Sequence, residues 1–85
     1  MSENILQIVQ FECNEYIFKF VNAINNETEL DKMTELKDRY VLLITRSKEY
    51  ISRGPYREKG RIYQKYNQTI DQIKTIYAKN AICEC

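Results

Sequence analysis

Apolar residues recur along the first twenty-five positions at the interval of an α-helix. Wound at about 100° per residue, Ile5, Leu6, Val9, Cys13, Tyr16, Ile17, Phe20, Ala23 and Ile24 gather in an arc of about 120°, and no polar residue between Ile5 and Ile24 enters it. A face that clean has to be buried, and the rest of the chain supplies two more segments of the same kind. The second carries Leu30, Met33, Leu36, Tyr40, Leu43, Ile44, Tyr50 and Ile51 on one side, and the third carries Tyr56, Ile62, Tyr63, Tyr66, Ile70, Ile73 and Tyr77. Met33, Leu36, Tyr40, Leu43, Ser47 and Tyr50 alternate steps of three and four residues, the seam of antiparallel coiled-coil packing. The pattern predicts an all-α fold: a three-helix antiparallel (up-down-up) bundle, with coiled-coil-like packing between the second and third helices. Tyrosines on the inner faces should bury their rings and send their hydroxyls to partners at the rim.

Local punctuation sets the boundaries at about 4–25, 28–53 and 56–80, with a tail at 81–85 and the whole of 1–85 as a single helical domain. Asn4 can cap the first helix with Gln7 three residues on, and Asn25-Asn26 is a stop because Asn tolerates the left-handed conformation at helix ends. Thr28 with Asp31 reads as a capping box for the second helix. Gly54-Pro55 then places Gly past one helix end and Pro at the start of the next, although Gly60 also allows a loop over 53–60 and a start at Arg61. The first segment has a rival reading. Val9, Phe11 and Cys13 alternate with Gln10 and Glu12, and Tyr16, Phe18 and Phe20 alternate again, as in a hairpin turning at Asn14-Glu15. Helix is favoured because that turn lacks glycine and a lone hairpin is marginally stable.

Composition adds an asymmetry. The formal charge of +1 hides eight acids against three bases in residues 1–38 and ten bases against four acids in residues 39–85. An antiparallel bundle brings those halves together, so part of the charge should cancel internally. Eighty-five residues make a small core, for which a partner or a second copy is a realistic supplement. Three cysteines are an odd count, nothing reads as a secretory signal, and Cys13 belongs to the apolar arc. These point to a reducing, cytoplasmic setting. Glu12, Glu15 and Lys19 interrupt the first helix too often for a membrane span.

Candidate chemistry is sparse. Histidine, the commonest general base, is missing, and no phosphate loop or nucleophile motif is present, so no enzymatic activity, cofactor or small-molecule substrate is implied. Cys83 and Cys85 fall short of the four ligands a structural zinc site takes, and no metal site is expected. Phe11 and Phe18 lie seven residues apart at the centre of the polar face of the first helix, with Val21 on its margin. Unless the tail covers them, they form an apolar partner-binding patch, for another protein or for a second copy in a homodimer. The alternative surface is the basic elbow, where Arg53, Arg57, Lys59, Arg61 and Lys65 could hold nucleic acid or another polyanion. It has dull explanations too: Glu35–Arg39 and Glu49–Arg53 are spaced to pair along an exposed helix. A small adaptor, inhibitor or assembly subunit is the function that these surfaces favour.

Overall fold

The computed structural model describes residues 5–81. Three antiparallel helices run α1 (Ile5–Asn25), α2 (Leu30–Arg53) and α3 (Lys59–Ala81), and no strand occurs among the described residues. The first segment is therefore one continuous helix and not a hairpin. Helical winding unites its apolar residues on one flank, whereas strand alternation would divide them between two faces.

The helix ends correct the local reading. Asn4 lies outside the described residues. α1 ends at Asn25 as expected, but no described non-glycine residue has positive φ. The chain turns through Asn26 N–H to Ala23 O (3.3 Å) and Glu27 N–H to Ile24 O (3.1 Å), with the Asn26 amide donating to Asn22 O at 3.0 Å. Thr28 caps nothing. α2 starts later, at Leu30, so its cap is Glu29, in extended conformation and without a side-chain cap. Asp31 remains in the first turn, where a carboxylate suits the positive end of the helix dipole.

Gly54 closes α2 with its N–H on Ile51 O (3.1 Å). Pro55 does not start a helix: it lies in a linker over 54–58, ahead of α3 at Lys59. A side chain at Gly54 would run into the Tyr56 ring, which packs against the core. Lys59 reaches back, its Nζ donating to Ser52 O at 3.0 Å, and so places a cation on the negative end of α2.

The core is a single file of residues from all three helices. Val9, Cys13, Phe20 and Ile24 come from α1, Met33, Ile44 and Ile51 from α2, and Ile62, Tyr66, Thr69 and Ile73 from α3. Each fully buried Ile or Phe contributes about 1.5–3 kcal/mol of transfer free energy. α3 packs along both neighbours, and the seam between α1 and α2 is the least extensive of the three.

Side chains identify which flank of α2 meets which neighbour. Thr34 Oγ1 and Tyr77 Oη are 2.7 Å apart, and Lys48 Nζ donates to Asn67 Oδ1 at 2.9 Å, so the Thr34–Lys48 flank faces α3. The Tyr40 ring meets Tyr16 and Phe20 of α1 edge-on, with centroids 6.2 and 5.5 Å apart. Two expectations fail here. Leu30, Leu43 and Tyr50, assigned to the inner face, are 53%, 39% and 69% exposed. The buried line runs instead through Met33, Ile44 and Ile51, with Tyr40 half-buried against it, because α2 has to serve two neighbours and is rotated away from a seam through Leu43 and Tyr50. Charge cancellation by contact is also missing. Among the described residues the ion pair is Lys37–Asp38 (2.9 Å), adjacent in sequence, and Glu35–Arg39 and Glu49–Arg53 stay open.

Candidate interaction surface

α1 is amphipathic with an exception on its polar side. Phe11 and Phe18 are 66% and 64% exposed, seven residues apart and therefore about 20° apart around the axis, opposite the buried arc. Val21 is half-buried, on the edge of that surface furthest from Ile8. Ile8, which sequence reading passed over, is exposed as well and extends the apolar strip towards α2.

Where α1 and α2 part, they leave an open groove of about 360 Å³ whose walls include Ile5, Ile8, Leu43 and Tyr50. Its floor holds Tyr66, and the charges at its mouth are Glu12 from α1 and Arg46 from α2. The groove follows directly from the rotation of α2: Leu43 and Tyr50, freed from the core, become its rim. A second, shallower depression on α1 joins Phe11 to Glu15, Tyr16 and Lys19.

The polar groups beneath this surface are structural. Tyr66 is almost fully buried, with the Ser47 side chain close to its hydroxyl. Burial, with a smaller contribution from the Glu12 carboxylate, pushes the phenol up to about 12. Burial likewise raises the Cys13 thiol, against weaker opposing effects of the Thr69 hydroxyl and the Lys65 charge. Thr69 is fully buried and donates to Lys65 O at 2.8 Å, so its hydroxyl is satisfied within its own helix. A buried, protonated thiol is a poor nucleophile.

The basic elbow is unevenly exposed. Arg53, Arg57 and Arg61 are exposed at the end of α2, in the linker and at the start of α3. Lys59 is held on the Ser52 carbonyl, and Lys65 is half-buried with its charge acting on Cys13. Among the described residues no cluster of His, Cys, Asp and Glu could hold a metal ion, and no helix is long and apolar enough to cross a membrane. Cys83 and Cys85 lie outside the described residues. No known protein family, curated protein or solved structure matches the chain.

Proposed function

We propose that the protein is a non-enzymatic protein–protein interaction module that docks through the outward strip of α1. The exposure of both Phe11 and Phe18 on one side of a well-packed helix carries this reading. Each ring would contribute about 1.5–3 kcal/mol on full burial, before the entropy cost of association. Val21 would join at the margin, and the buried thiol of Cys13 suits a reducing, cytoplasmic setting.

The test is site-specific photocrosslinking, with a benzophenone side chain replacing Phe11 or Phe18 in cells and Asp71, exposed on α3, as the control position. A discrete adduct at the α1 positions and none at Asp71 is the expected result. No adduct from α1, or the same adducts from Asp71, removes the reading. A second reading, polyanion binding by Arg53, Arg57 and Arg61, has their shared exposure in its favour. It requires affinity that falls steeply with salt and is abolished by Arg57→Glu with Arg61→Glu.

A further inference from the structure

The exposed edge of α2 beside the groove has a periodicity that the bundle does not use. Lys32, Arg39, Arg46 and Arg53 are all exposed and recur every seven residues, so they form one line along the helix. Interleaved with them run Leu36, Leu43 and Tyr50, also seven apart. Leu36 is half-buried, and Leu43 and Tyr50 are exposed. This is a second seam, apolar with a cationic margin, facing solvent on the α1 side of α2.

α1 presents the matching surface. Its outward strip combines Ile8, Phe11 and Phe18 with Glu12 and Glu15, and Lys19 follows one turn later. Among the described residues, none of these charges nor those of the α2 seam closes an ion pair. The charges correspond over the Glu12–Glu15 stretch. Within one chain Glu12 lies level with Arg46, since both line the groove, and Tyr16 and Phe20 lie level with Tyr40. Passing from that end of the groove towards the α1–α2 turn at about 1.5 Å per residue, Glu15 comes level with Leu43, between Arg46 and Arg39, and Lys19 comes level with Arg39. Glu35 shares a surface depression with Leu36 and Arg39.

From this we infer that the α1–α2 face is self-complementary and that its occupant is a second copy of the same chain. A two-fold axis parallel to the helices keeps every residue at its own level and lays α1 of each copy antiparallel on α2 of the other. Glu12 then meets Arg46 of the partner subunit and Glu15 comes between its Arg46 and Arg39, while Lys19, level with its Arg39, marks the end of the complementary stretch. Phe11 and Ile8 settle on Leu43 and Tyr50 of the partner subunit and close the groove. Two helices about 30 Å long and 10 Å wide offer about 600 Å² of face per copy, or about 1,200 Å² in all, the lower bound for a stable dimer. This inference rests on the reading that the α1 strip docks a protein, and it names that protein.

The test is molar mass by sedimentation equilibrium and light scattering, from low micromolar to millimolar chain, at low and high salt. The wild-type chain is expected to be a dimer that weakens with salt. Glu12→Arg with Glu15→Arg, and separately Arg39→Glu with Arg46→Glu, should each weaken self-association by about tenfold or more. An equimolar mixture of the two variants should recover a dimer, because opposite charges again face each other. Leu43→Ser with Tyr50→Ser, both exposed positions, supplies an uncharged disruption, and circular dichroism checks that each variant keeps its fold. A monomeric wild type at every concentration overturns the inference, as does a dimer unaffected by these variants or a mixture that fails to recover one. So does a monomer that binds single-stranded nucleic acid through Arg39 and Arg46. If the wild type is monomeric while benzophenone at Phe11 captures a different protein, self-docking fails and the interaction reading stands. With neither dimer nor adduct, both fall.

Discussion

Replacing Tyr66 by Phe isolates one buried oxygen, and its consequences change sign with pH. At pH 7 the phenol is neutral and close to the Ser47 side chain, so its removal forfeits at most one net hydrogen bond, about 1 kcal/mol. Ser47 is not stranded, because its hydroxyl also donates to Leu43 O at 3.1 Å and the residue is only half-buried. Alkali reverses the balance. The unfolded chain ionises this tyrosine near its ordinary value of 10.0, whereas the folded chain holds the proton to about 12. Above pH 10 the folded state binds more protons than the unfolded one, so stability falls as pH rises. The loss is about 1 kcal/mol by pH 11 and about 2 kcal/mol by pH 12. Phe has no proton to lose, so Tyr66→Phe should be no more stable than wild type at pH 7 and more stable than it by pH 12. Urea unfolding followed by circular dichroism, repeated across this range on both chains, gives the difference directly and cancels the other titrating groups. A difference that stays constant from neutral to strongly alkaline pH would mean that the phenol is solvated, and the account of the core beneath the groove would be wrong.

The remaining predictions concern packing and backbone. Phe20→Ala removes a fully buried ring and should cost about 3–5 kcal/mol, most of the margin of so small a chain, whereas Phe18→Ala should stay within about 0.5 kcal/mol in the same denaturation experiment. Gly60 and Gly54 should respond oppositely to alanine. Nothing lies within 4 Å of a Cβ at Gly60, in the first turn of α3, so Gly60→Ala should gain about 0.5–1 kcal/mol and raise Tm by about 2–8 °C. Gly54→Ala has to displace the Tyr56 ring and should lower Tm, and calorimetry on the two variants decides.

Much of this fold is legible in the chain because the inner residues of α1 are simply its apolar ones. Val9, Cys13, Phe20 and Ile24 are buried as their spacing requires, and no polar side chain competes for that arc. α2 was harder to read. It has apolar residues on more than half its circumference, so the best 3-4 spacing picked a line through Leu43 and Tyr50 that the bundle leaves exposed. Thr69 escaped notice because its polarity argues for the surface, yet bonding to Lys65 O lets it occupy a fully buried position. The recurrence of Lys32, Arg39, Arg46 and Arg53 is visible in the letters alone, but it gains meaning only beside the open groove. Spacing along a chain does not reveal that Lys59 of the elbow folds back onto the end of α2.

The sequence by itself determined the number of helices, their approximate ends, the burial of one flank of α1, and the exposure of Phe11 and Phe18 at the opposite pole. These depend on periodicity and short-range chemistry, which need no partner to be read. Only the tertiary structure decided which flank of α2 turns inward, and with it the groove, the phenol of Tyr66 at its floor and the basic seam at its rim. That choice is a compromise among three helices packing on one another, and no helix carries it alone.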